Sequence, residues 1–113
     1  MLRQNINCLA SLRAFLMYKI FYHKLVLSKD FKKVPKGDLR KIINAIHKKL
    51  FLSPETFGKP LQSELKGYFR LRIDPYRVIY RIEKERIFVF IVQIGLRKDF
   101  IVYLEAAKRL GLM

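Results

Sequence analysis

The sequence predicts one α+β domain in which a mainly antiparallel sheet packs on helices, in the order β-α-α-β-β-β-α. Three observations carry that expectation. Apolar residues recur at helical spacing from Leu39 to Leu50; two alternating runs between Tyr68 and Ile82 meet at Asp74-Pro75; and Ile87 to Ile94 is apolar on both sides of the chain. With 113 residues the chain suffices for one core, burying about 65% of the surface its unfolded form exposes, so it needs neither metal nor disulfide to fold.

The elements follow in order. Residues 1–16 read as an N-terminal extension and residues 17–113 as the domain, because Met17 stands directly before the first strand-like run, Met17 to His23. Ser28 is placed to cap a short helical turn over Lys29 to Val34, which Pro35 and Gly37 then break. Asp38 is expected to cap a helix whose stripe is Leu39, Ile42, Ile43, Ile46 and Leu50, leaving Arg40, Lys41, Lys48 and Lys49 outside. Ser53-Pro54 opens a further short turn, and Gly58 to Pro60 reads as loop.

Tyr68 to Ile73 is a strand with Phe69, Leu71 and Ile73 on one face and Tyr68, Arg70 and Arg72 on the other. After the Asp74-Pro75 turn, Tyr76, Val78, Tyr80 and Ile82 oppose Arg77, Ile79 and Arg81 in the same way. A turn over Glu83 to Arg86 leads into the doubly apolar strand, which is expected to be the central core strand, covered by helices on one side. Beyond Gly95, Asp99 is placed to cap a last helix with Phe100, Tyr103, Leu104, Ala107 and Leu110 on its apolar stripe, ended by Gly111.

Charge narrows the partners. The 24 Lys and Arg against 9 Asp and Glu give a formal charge of +15, which favours a polyanion such as nucleic acid, an acidic protein or an anionic membrane without choosing among them. Cys8 is the only cysteine, so no internal disulfide forms and a reducing, cytoplasmic setting is expected. Arg13 interrupts the N-terminal apolar run, no clear small-residue cleavage site follows, and no run of 18 apolar residues occurs, so neither a signal peptide nor a membrane span is expected. His23, His47 and Cys8 have no metal-ligand spacing, and no cofactor or metal is predicted.

The arginines raise the functional question. Strand geometry lets Arg70, Arg72 and Arg77 gather on one sheet face, at spacings of roughly 4.8 Å between strands and 6.6 Å along one. Each guanidinium is a permanently charged fork that holds two phosphate oxygens at once. A single one could simply lay its stem over the sheet with its head in water; three together suit a phosphodiester.

From Leu65 to Leu110 the chain resembles the RelE branch of the RelE/ParE toxin superfamily of toxin–antitoxin modules. The marks are L-x-G-x-x-R-x-R at 65–72, Y-R-V-I-Y at 76–80, and I-G-x-R-K-D at 94–99 followed by Tyr103. The resemblance implies a RelE/ParE-like fold and a toxin that enters the ribosome and cuts mRNA without metal by attack of a ribose 2′-hydroxyl, until a cognate acidic antitoxin neutralises it. It implies roles for Arg77 and Arg97 in stabilising phosphate charge and the leaving oxygen, and for Tyr103 in orienting the hydroxyl. Arg70 and Arg72 stand where ribosome-dependent relatives often carry lysines, and arginine has no accessible neutral form to act as a base. Lys41, Lys48, Lys49, Arg81 and Lys98 are expected to hold RNA and ribosomal phosphates. The same fold also serves a ParE-like inhibitor of DNA gyrase that cuts nothing, or an inactive relative that only binds antitoxin.

Overall fold

The computed structural model of the chain describes residues 17–96 and 101–112. Its core is a five-stranded sheet built from β1 (Lys19–Tyr22), β2 (Lys59–Pro60), β3 (Phe69–Ile73), β4 (Tyr76–Glu83) and β5 (Phe88–Leu96), in the spatial order β1-β5-β4-β3-β2. β1 runs parallel to β5, and the other pairings are antiparallel. The two hairpins expected from the alternating runs are present. β2 is an addition: Lys59 and Pro60 pair with Arg70 and Phe69 as a two-residue edge strand where the sequence suggested only loop, a length too short for alternation to reveal.

Helices cover the two faces unequally. On one, α1 (Lys36–Leu50) buries Ile42, Ile46 and Leu50 against Leu71, Ile73, Val78 and Tyr80, as its spacing predicts. A four-residue helix, α2 (Pro54–Phe57), follows, with Ser53 before it and Pro54 in its first turn. On the other face, α3 (Ile101–Arg109) packs Val102, Ala106 and Ala107 on Ile79 and Val92. The interior strand β5 is therefore buried on both sides, which accounts for its unbroken apolar run.

Three local expectations are corrected. Ser28 caps nothing; it lies inside a π-helical turn (Val26–Asp30) that runs into a 3₁₀ turn (Phe31–Lys33). α1 starts at Lys36, with Pro35 in the capping position and Gly37 inside the helix. Asp38 sits in the first turn, where its charge complements the helix dipole, and its carboxylate accepts the Tyr76 hydroxyl at 2.7 Å. That bond, and burial after it, raises the Tyr76 pKa.

α3 is also rotated from the expected stripe. Ala107 is buried on the sheet with Tyr103 and Leu110 packed beside it, as expected, but Val102 and Ala106 join them while Leu104 is 46% exposed. The missing side chain of Gly95 leaves room for Val102 there, since an added Cβ would lie 3.0 Å from Val102 Cγ2. α3 ends in a Schellman motif at Gly111 (φ +72°), with Leu112 N–H donating to Ala107 O and Gly111 N–H to Lys108 O. Asp99 and Phe100 lie outside the described residues, as does the 1–16 extension.

Candidate nucleic-acid interface

β3 and β4 put the arginines where alternation placed them. Arg72 is directly opposite Arg77, and Arg70 is opposite Ile79, all on the face that α3 covers in part. Paired Cα atoms lie roughly 5 Å apart and alternate residues on a strand roughly 6.8 Å apart, so the three side chains share one patch.

They differ in setting. Arg72 is exposed and Arg70 half-buried. Arg77 is only 4% exposed, and its Nη1 donates to Asp74 Oδ1 at 3.0 Å and to the Tyr76 carbonyl at 2.9 Å. Those two bonds consume the hydrogens of one nitrogen and leave Nη2 and Nε to other acceptors. A snorkelling arginine would expose its head; this one is oriented by the turn that precedes it. Asp74 was missed as part of the site, although an acid three residues before the arginine across an X-Pro turn is visible in sequence.

Tyr103 is brought to the same region from the other side. It lines a cleft of about 480 Å³ with Arg70, between α3 and a 3₁₀ turn (Ser63–Leu65). Of the cleft's far wall, Gln62 to Leu65, only Leu65 carries a mark in the sequence, as the first residue of L-x-G-x-x-R-x-R; Gln62, Ser63 and Glu64 carry none. Arg97 and Lys98 lie outside the described residues.

The other expected RNA contacts are not brought together with this patch. Arg81 shares its face but stands four residues along β4 from Arg77, roughly 13 Å away. It pairs instead with Glu83 at 3.2 Å and stacks over Phe90 at 5.4 Å from the ring centroid. Lys41, Lys48 and Lys49 belong to α1, whose buried side packs on the opposite face of the sheet. Helical spacing identifies a solvent side without saying which layer it belongs to.

Among the described residues no group of three or more His, Cys, Asp or Glu side chains could hold a metal ion, and no helix is long and apolar enough to cross a membrane. What the patch offers is fixed positive charge, oriented forks and one phenol, a set able to hold a phosphodiester and stabilise added charge on it.

Comparison with known proteins finds relatives of the same fold. Residues 20–99 match the family model described as the ParE toxin of type II toxin–antitoxin system, parDE. Toxin RelG of Mycobacterium tuberculosis (strain ATCC 25618 / H37Rv) is 35% identical over 71 residues, 63% of this chain and 82% of RelG. The solved toxin–antitoxin complex RelBE2 from M. tuberculosis aligns at TM-score 0.68 and 31% identity, covering 74% of this chain and 94% of that one. A mutant of E. coli toxin RelE in the free state has the same fold, at TM-score 0.66 and 21% identity over 83% of this chain and 98% of its own. The archaeal RelE–RelB complex of Pyrococcus horikoshii OT3 aligns at 0.58 and 25% identity, covering 74% and 98%.

Proposed function

Since the chain belongs to the RelE/ParE superfamily of type II toxin–antitoxin toxins, we propose that it is a ribosome-dependent mRNA endoribonuclease held in check by an acidic antitoxin. The observation that carries this reading is Arg77: buried, oriented by Asp74, and facing Arg72 across the hairpin. An ion-binding surface does not need a buried, aimed guanidinium; a site for charge developing on one phosphate does.

In this reaction the ribose 2′-oxygen attacks the adjacent phosphorus, its bond to phosphorus forms, and the bond to the 5′-oxygen breaks. Arg77 stabilises the extra negative charge on the phosphoryl oxygens. Arg72 and Arg70 hold the strand so that attacking and leaving oxygens lie in line. Tyr103 orients the reacting hydroxyl, and Arg97, by the family resemblance, assists the departing 5′-oxygen. None of the arginines removes the hydroxyl proton, which passes by way of the Tyr103 hydroxyl to water as the new bond forms, while the departing 5′-oxygen takes up a proton from water. Two of the solved relatives are complexes with an antitoxin, and a chain of charge +15 suits an acidic partner.

The test is 5′-end mapping of a defined mRNA on stalled ribosomes. Wild type should break the A-site codon. Arg77→Ala should cut at least about a hundredfold more slowly, the scale on which one preorganised donor acts, and Arg77→Lys should not restore the rate because it lacks the fork. Retained antitoxin binding would show that both variants are folded. The ParE description of the matched family favours a second reading, gyrase inhibition: intact mRNA with growth arrest and gyrase-linked DNA breaks would replace the first.

A further inference from the structure

The cleft that holds Arg70 and Tyr103 has a wall that the cleavage step does not use. Gln62, Ser63 and Glu64 line it opposite α3, above apolar Leu65 and Leu104. We propose that this cleft is a nucleobase subsite beside the reactive phosphate, and that Glu64 makes it favour bases bearing an exocyclic amino group over uracil. The inference rests on the ribonuclease reading and names what that site selects.

Size and lining come first. A cleft of about 480 Å³ lies within the roughly 300–1,000 Å³ of small-ligand pockets. Its walls combine aliphatic side chains with two planar groups, the Tyr103 ring and the Arg70 guanidinium, and unstacked bases lie on both kinds of plane. Leu104 is 46% exposed on a helix whose opposite side is packed, and a base inserted beside it would cover it.

Position links the cleft to the phosphate. Arg70 is two residues along β3 from Arg72, which faces Arg77, so cleft and phosphate patch stand roughly 7 Å apart along the strand. Arg70 Nε is buried and has no hydrogen-bond partner among the described residues. It is a donor awaiting an acceptor, which a base carbonyl or ring nitrogen supplies.

Glu64 supplies the selectivity. A carboxylate accepts hydrogen bonds and donates none, and beside an RNA strand it is repelled by phosphate. It is one of only 9 acidic residues against 24 basic ones, and among the described residues no ion pair joins it to Arg70, which lines the same cleft. Adenine, cytosine and guanine each offer it an amino donor. Uracil offers only a ring N–H between two carbonyl oxygens that repel a carboxylate. The wall is fixed for reading: Leu65 is 6% exposed and anchors it, Leu65 N–H donates to Gln62 O at 3.2 Å, and Ser63 takes a left-handed φ of 56°.

Two measurements test this on the full chain. The first titrates non-cleavable 2′-O-methyl tetranucleotides, differing only in one base, into purified protein followed by NMR. Amino-bearing bases should bind at least about fivefold more tightly than uracil, the scale of one good base contact, with shifts at Gln62–Leu65 and Tyr103. Glu64→Gln, which both donates and accepts, should remove most of that difference. The second maps cleavage on ribosomes with each A-site codon position varied in turn, where Glu64→Gln should flatten the preference at one position, narrowing the ratio of rates between amino-bearing bases and uracil there. Base-independent binding, or a preference unchanged in both Glu64→Gln and Glu64→Ala, overturns the subsite. If wild type cuts no mRNA, the ribonuclease reading falls while the binding order still decides whether the cleft selects bases.

Discussion

Tyr22 and Tyr80 place the same side chain in opposite circumstances. Tyr80 is fully buried, donates its hydroxyl to the Pro54 carbonyl, and leaves no room at Gly58, where a Cβ would collide with that hydroxyl. Tyr22 buries its hydroxyl with no partner among the described residues while its ring packs edge-on against Phe31. Burial raises both phenols, Tyr22 to about 12. Tyr22→Phe keeps the ring and removes only the stranded polar group, so at pH 7 it should leave stability unchanged or raise it by up to roughly 1 kcal/mol, whereas Tyr80→Phe should lose about that much with its hydrogen bond. The pH dependence has a definite sign. A phenol whose folded pKa is raised above about 10 contributes stability that is full below pH 10 and is lost as pH rises toward the folded value. The advantage of Tyr22→Phe over wild type should therefore widen between pH 10 and 12, measured by urea unfolding at a series of pH values; an advantage that shrinks there would mean the hydroxyl is solvated.

At the scale of elements, one ion pair joins three of them. Asp30, at the end of the π-helical turn, accepts two bonds from Arg109 of α3, at 2.8 and 3.0 Å, and one from Ile94 N–H of β5 at 2.9 Å; Arg109 also donates to Val92 O at 3.0 Å. Its side chains are 10% and 3% exposed, so removing one partner strands a buried charge. Arg109→Ala should cost about 3–5 kcal/mol and speed hydrogen exchange in α3 more than in α1. A pair replaced on both sides, Asp30→Leu with Arg109→Leu, should recover much of that loss; equal losses in the single and double variants would remove the argument. Nothing in the sequence announces this clamp, because its members are 79 residues apart and each looks like an ordinary surface charge. The same limit explains what else was legible. Local periodicity located α1, β3, β4 and β5 and put Arg70, Arg72 and Arg77 on one face, since each depends only on neighbours two to four residues away. Val102 of α3 seats against Gly95 of β5, Asp38 turned from cap to partner of Tyr76, and α1 carried its lysines to the far layer. Those outcomes depend on how layers meet, which no short window contains.

On the whole molecule, the charge surplus acts against the fold it decorates. Basic side chains stand on both sides of the sheet, lysines of α1 on one and arginines of β3 and β4 on the other, so no single acidic element offsets the +15. Most are exposed, which makes their mutual repulsion long-ranged and open to screening: the Debye length falls from about 30 Å at 0.01 M salt to about 8 Å at 0.15 M. Among the described residues, the ion pair of Arg109 with Asp30 is buried beyond the reach of screening, so salt weakens little of the attraction it supplies. Net repulsion should therefore dominate. Raising sodium chloride from 20 to 300 mM should lift the thermal midpoint by about 5 °C, equivalent to roughly 1 kcal/mol for a chain of this size. A short polyanion that binds the folded state should lift it further at constant ionic strength, because binding adds to screening. Calorimetry with sodium chloride alone and then with added polyphosphate separates the two contributions. A midpoint that stays level in salt would mean that attractive pairs already balance the surplus, and a polyanion that adds nothing would remove the argument that an acidic partner stabilises this chain as well as occupying it.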